Sequence, residues 1–75
     1  MHWIKKLFWK PTHQHYKGGL YKVLFDRAIL ENTLQSMVVY QDESGKVWIR
    51  TVNDFMEMVP GPNTGLTISR FIKLN

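Results

Sequence analysis

The side chains that could do chemistry in this 75-residue sequence are three histidines, ten lysines and arginines, and a generous set of aromatic rings. His13 and His15 are two residues apart, so on a strand they point to the same face and could offer two metal ligands. A metal needs a third and usually a fourth ligand. His2 is remote, no carboxylate is adjacent, and nearby lysines oppose a cation, so no metal is expected. There is no cysteine, which excludes disulfides and thiolate sites. Ser36, Ser44 and Ser69 fall in turn-like or edge positions without the base and orienting group that a nucleophile requires. Asp54 and Glu57 are explained by a short helical turn. Gly18-Gly19 suits a turn better than a phosphate loop, and no nucleotide fingerprint occurs. The expectation is a protein that is not an enzyme and carries no cofactor.

What survives is a pairing of rings with cations: Tyr16-Lys17, Tyr21-Lys22, Trp48 near Arg50, and Arg70-Phe71. Bases stack on such rings while lysine and arginine neutralise phosphate. The candidate ligand surface is therefore His15, Tyr16, Lys17, Lys22, Trp48, Arg50 and Arg70. The competing reading is that these rings fill a small core. Trp48 and Phe55 are read first as core, whereas Tyr16, Tyr21 and Arg50 fit either. The net charge is +4, and residues 1–22 hold five lysines and no acid. Such a local field attracts anions, although solubility alone also accounts for a charge of this size.

These groups need elements to position them. Trp3, Ile4, Leu7 and Phe8 recur at helical spacing with Lys5, Lys6 and Lys10 mostly elsewhere on the wheel, and Pro11 ends the pattern. So short a helix must dock on something: this domain's own core, a second copy or another protein, or a membrane surface, the last being least favoured. The apolar runs are too short to span a bilayer. The start lacks the continuous apolar region of a signal peptide. With the absence of cysteine, this suggests a cytoplasmic setting. A chain of this length buries only about 60% of its unfolded surface, so homo-oligomerisation is the expected source of added stability.

The remaining chain reads as short strands and tight turns. His15-Tyr16-Lys17 enters a hairpin, Gly18-Gly19 turns it with two positive φ values, and Leu20–Phe25 leaves, with Tyr21, Val23 and Phe25 on one face. Asp26–Ser36 reads as a loop or edge segment bending at Glu31-Asn32-Thr33, with a weak helical alternative at Arg27–Leu30. Met37–Gln41 and Lys46–Arg50 form a hairpin around Asp42–Gly45. Thr51–Glu57 reads as one helical turn that Thr51 or Asn53 caps and whose Phe55 plugs the core. Pro60–Gly65 is a loop, and Leu66–Leu74 is a closing strand. The fold class is mainly β: a small SH3-like five-stranded barrel over residues 13–75, with one short helical turn and an amphipathic N-terminal extension over residues 1–12.

The chain also resembles the small domain of unknown function numbered 1653, found in bacteria and phages. The resemblance rests on His15-Tyr16-Lys17-Gly18, Leu20-Tyr21, Val23-Leu24, Thr33-Leu34, Met37-Val38-Val39-Tyr40, Gly45, Trp48-Ile49-Arg50, Phe55, Glu57, Val59 and Arg70-Phe71. It covers roughly residues 15–72. This chain has Thr51 where the family often has proline. It has Leu30 and Asn32 where a histidine and a glutamate commonly precede the Thr-Leu pair. The resemblance supports a small β domain and implies a bacterial or phage origin, and it brings no site residues with it.

The function expected from the sequence is binding without catalysis. The ligand would be anionic, either a nucleotide-type small molecule or single-stranded nucleic acid; in a phage protein, sequestering a host nucleotide signal would be a natural task. The rival is a protein–protein adaptor or inhibitor module that uses the Trp3, Ile4, Leu7, Phe8 stripe or a strand edge to reach a host or partner protein.

Overall fold

The computed structural model describes residues 9–62 and 65–74. It contains seven strands: β1 (His13–His15), β2 (Leu20–Leu30), β3 (Gln35–Asp42), β4 (Val47–Thr51), β5 (Met58–Pro60), β6 (Thr67–Ser69) and β7 (Phe71–Lys73). A single helical turn, α1 (Val52–Phe55), follows β4. Five strands form one antiparallel sheet in the order β4-β3-β2-β1-β7, while β5 and β6 pair as a separate ribbon. Residues 1–8 lie outside the described part, so the reading of Trp3, Ile4, Leu7 and Phe8 has no counterpart in it.

The mainly β class holds, and the hairpin at Asp42–Gly45, the cap at Thr51 and the core role of Phe55 are all found. Asp42 closes the β3–β4 turn by accepting at Oδ1 from the Ser44 N–H, the Ser44 hydroxyl and the Lys46 N–H. The Thr51 hydroxyl oxygen accepts from the Asp54 N–H at 3.0 Å, which satisfies one of the free donors of α1.

The sheet does not close as a five-stranded barrel would. Strands β4 and β7 are its two edges, and no ladder joins them among the described residues. Side chains span the gap instead. Phe55, delivered by α1 from the end of β4, stacks on Phe71 of β7 with ring centroids 4.2 Å apart and planes within 5°.

Three local expectations are corrected. Asp26–Leu30 is neither loop nor helix but the second half of β2. Its sequence does not alternate because the register slips between Val23 and Phe25 and again between Phe25 and Ala28. The first slip carries Phe25 to the opposite face from Tyr21 and Val23: Val23 pairs with buried Tyr40, whereas Phe25 pairs with Val39 and is 66% exposed. The segment Leu66–Leu74 is two strands rather than one. β6 pairs with β5 and β7 with β1, and Arg70 sits at the break.

The buried cluster is Val38, Tyr40, Phe55 and Phe71, with Tyr21, Val23 and Val52 packed around it. It lies on one face of the sheet, called here the inner face. Alternation along β3 puts Val38 and Tyr40 there and turns Met37, Val39 and Gln41 to the outer face.

Candidate functional site

The inner face is an aromatic floor. Tyr21 meets Tyr40 and Phe71 edge-on with centroids 5.5 and 5.6 Å away, and Tyr40 meets Phe55 and Phe71 at 5.4 and 5.5 Å. These edge-to-face arrangements suit ring quadrupoles. His13 adds an edge contact to Phe55, and His15 adds one to Phe71.

The hairpin that carries His15 is built by two glycines with different roles. The Gly18 N–H donates to the His15 carbonyl at 2.8 Å, and Gly18 has φ +109°, a conformation that glycine adopts freely. Gly19 has no positive φ. A Cβ there would lie 3.1 Å from the Tyr21 ring, so this glycine makes room for the tyrosine. The turn thus needs one left-handed residue rather than the two expected. It also places His15 beside Tyr21.

Cations converge on that histidine. The imidazole of His15 is held below its ordinary pKa of 6.5, first by burial and then by the positive charges of Arg50, Arg70 and Lys17. Its Nδ1 accepts from the Lys17 N–H at 3.1 Å, and the Tyr16 ring lies 4.7 Å from the imidazole. Lys17 also sits 5.6 Å from the Tyr16 ring centroid. Arg50 donates from Nε to the hydroxyl of Tyr40 at 3.1 Å, and its guanidinium lies 5.9 Å over the Phe71 ring. Arg70 is tied on both sides: its N–H donates to the Glu57 carbonyl, and its carbonyl accepts from the Tyr16 N–H. Its side chain pairs with the Glu57 carboxylate at 2.5 Å, while its Nε is buried without a partner among the described residues.

Five of the seven predicted ligand residues therefore come together: His15, Tyr16, Lys17, Arg50 and Arg70. Two do not. Lys22 pairs across the ladder with Gln41, so it belongs to the outer face. Trp48 shares the inner face, opposite Tyr40, but it is 44% exposed and is not core. Its indole N–H donates to Asp42 Oδ2 at 2.9 Å, and Lys46 sits 5.2 Å from its ring. Hydrogen bonds from Ser44 and Trp48 hold the Asp42 carboxyl down at about 2. The indole is thus a brace for the β3–β4 turn.

Tyr40, Phe71 and Glu57 were missed as site residues. The first was legible: the Asp42–Gly45 turn sets a register in which Trp48 faces Tyr40, so that Arg50 lies one pair further along the same face. The ion pair of Glu57 with Arg70 spans thirteen residues, and no local pattern signals it.

The two histidines have separate partners. His13 engages the Thr12 hydroxyl through Nδ1 at 2.8 Å, and its pKa is lowered by burial and by Lys73. Among the described residues, no three His, Asp or Glu groups are arranged to hold a metal ion, and no helix is long and apolar enough to cross a membrane. A separate groove of about 340 Å³ is lined by Arg27, Gln35, Ser36, Thr51, Val52 and Asn53, none of which is in the cation cluster.

Comparison with protein families gives a match over residues 11–73, which contains both the aromatic floor and all the converging cations. The chain belongs to the family described as Protein of unknown function (DUF1653). The DUF1653 match begins at Pro11, just after Trp9 and Lys10, and runs through β7. Neither the curated proteins nor the solved structures contain a match to the chain.

Proposed function

We propose that this DUF1653 domain is a non-enzymatic binding module for a compact anionic ligand of the nucleotide type. The observation that carries this reading is the gathering of Lys17, Arg50 and Arg70 about His15: the Lys17 N–H bonds the imidazole, the Arg50 guanidinium lies over the Phe71 ring that the imidazole meets, and the Arg70 carbonyl accepts from the Tyr16 N–H next to it. Arg70 is already paired with Glu57, but Lys17 and Arg50 have no carboxylate partner among the described residues, and an anion placed beside them would offset their charge. The exposed parts of Tyr16 and Tyr21 offer a ring surface beside the charge, suited to a planar base. The groups facing His15 supply charge and stacking area, which serves holding rather than turnover. In a half-rolled, SH3-like reading of the sheet, the cluster occupies the rim between β4 and the β1–β2 hairpin.

A compact anion fits better than a nucleic-acid strand. A strand needs cations laid out along a track, whereas Lys22 lies on the other face and the remaining charges gather at one point.

Thermal denaturation of the full chain with nucleoside phosphates, cyclic dinucleotides and short single-stranded oligonucleotides tests this. A ligand at one hundred times its Kd should add about 2.7 kcal/mol of stability. The expected result is a shift with a mononucleotide or dinucleotide that Lys17→Ala or Arg70→Ala reduces. A shift with oligonucleotides alone would replace the small ligand by a strand. No shift with any of them would overturn the reading.

A further inference from the structure

The five-stranded sheet has two edges, and they are finished differently. Strand β7 is short and carries Lys73. Strand β4 is longer, holds no proline, and pairs with β3 over Val47–Thr51 without a bulge. Its charge, Arg50, is turned inward to the Tyr40 hydroxyl. Short length, outward charge, proline and bulges are the usual means of blunting an edge, and β4 uses none of them. Val47 and Ile49 are 51% and 62% exposed.

The turn before β4 decides which of its backbone groups face outward. The Asp42 N–H donates to the Lys46 carbonyl at 2.9 Å, so Asp42 and Lys46 are a hydrogen-bonded pair. Such pairs alternate along an antiparallel ladder. Trp48 and Arg50 therefore bond to Tyr40 and Val38, whereas Val47, Ile49 and Thr51 turn their N–H and carbonyl groups away from β3. No strand meets those groups among the described residues.

A second copy of the same strand fits this edge in one register. The antiparallel registers that match outward groups to outward groups, and overlap by more than one residue, are centred on Trp48, Ile49 or Arg50. Centring on Trp48 sets Arg50 opposite Lys46, and centring on Arg50 sets two guanidiniums face to face. Like charges so placed are destabilising. Centring on Ile49 sets Arg50 opposite the Trp48 ring, a favourable pairing of cation and ring, and sets Val47 opposite Thr51. It also overlaps the whole strand and continues the outer-face row of Phe25, Val39 and Ile49 into the same row of the second copy.

We propose that this domain forms a two-fold dimer in which β4 pairs antiparallel with β4 of a second copy, centred on Ile49, so that the two sheets become one. The occupant is a second copy because the edge is complementary to itself in charge and register. This inference stands apart from the ligand reading, since it rests on the β4 edge rather than on the groups about His15.

Sedimentation of the full chain should show a dimer, and a monomer throughout the concentration range would overturn the proposal. The chain has no cysteine, so single substitutions report the register. In this pairing the two Ile49 Cα atoms lie about 5.5 Å apart, within disulfide range, whereas the two Val47 Cα atoms lie about 14 Å apart. On gentle oxidation, Ile49→Cys should form a disulfide-linked dimer at least tenfold faster than Val47→Cys. Equal rates, or a faster Val47→Cys, would overturn the register. Ile49→Pro removes an N–H that points away from β3, and edge strands accept proline at such positions. It should leave a folded monomer by circular dichroism and sedimentation, while Ile49→Thr, which keeps the N–H, should remain dimeric. A dimer that survives Ile49→Pro overturns the proposal; where that variant does not fold, the two cross-linking rates decide.

Discussion

The two faces of the five-stranded sheet are made by the same strands, one residue out of step, and they are finished in different ways. On the inner face Tyr21, Tyr40, Phe55 and Phe71 each have another ring against them, and polar ends are engaged: the Tyr40 hydroxyl by Arg50, the Arg70 guanidinium by Glu57. On the outer face Phe25, Val47 and Ile49 are exposed beside Lys22, and Trp9 reaches Gln41. The difference teaches that this small domain has enough rings for one core and uses them there.

Substitutions can break or sharpen that contrast. The largest effect is expected on the inner face. Phe71→Ala removes the ring that stacks on Phe55 and touches Tyr21, Tyr40 and His15. It should cost about 3–5 kcal/mol, read as loss of a cooperative melting transition. A loss under a third of that would mean the aromatic floor is not the centre of stability.

Next comes the cation rim. If the cluster holds an anion, Arg70→Ala should weaken nucleotide binding about tenfold, or about 1.4 kcal/mol, by calorimetric titration. Glu57→Gln should strengthen it, because the carboxylate paired with Arg70 is then replaced by a neutral amide. Equal weakening by both would assign Arg70 a purely structural part.

Tyr40→Phe removes the acceptor of the Arg50 N–H while leaving the ring in place. It should cost about 1 kcal/mol in chemical denaturation.

The smallest effect is a slope with pH. Both His13 and His15 are held below the ordinary 6.5, so the unfolded chain binds more protons than the folded one just below that pH. Stability should therefore be fully present above about 6.5 and decline as pH falls through the folded-state values. The melting midpoint should fall on acidification, and His15→Gln should flatten part of that fall. A bound anion would favour the imidazolium, so ligand binding should strengthen over the same range.

Much of this arrangement was legible in the residues. Alternation marked Val38 and Tyr40 against Val39, and the Asp42–Gly45 turn fixed the partner of each, so that Trp48 and Arg50 could be placed on one face. The Thr51 cap and the Phe55 plug follow from local chemistry. What was not legible came from slips in register and from distant pairing. The bulge before Phe25 reverses the face of the strand until a second slip before Ala28 restores it, and a sequence pattern of period two cannot announce its own breaks. Lys22 was misplaced for a simpler reason: its lysine beside Tyr21 looked like a pair, yet neighbours on a strand point apart. The break at Arg70 depends on Glu57 and Tyr16 holding its backbone from two sides, which no local pattern contains.

The pairing of β1 with β7 has one more consequence, for the order of events as the chain is made. Strand β1 has only three residues, and it is held on one side by β2 and on the other by β7, with His15 opposite Phe71 and the Leu74 N–H bonded to the Thr12 carbonyl. The first and last described strands are thus neighbours. The β2–β3–β4 meander can form from local contacts while synthesis continues, but the aromatic floor cannot be completed until Phe71 has left the ribosome, and the rim cannot gather before Arg70 does. Completion of the rim should follow only once β7 has emerged, as a late event. The closeness of β1 and β7 also makes this domain a natural subject for circular permutation, with new termini opened in the Glu31–Leu34 turn.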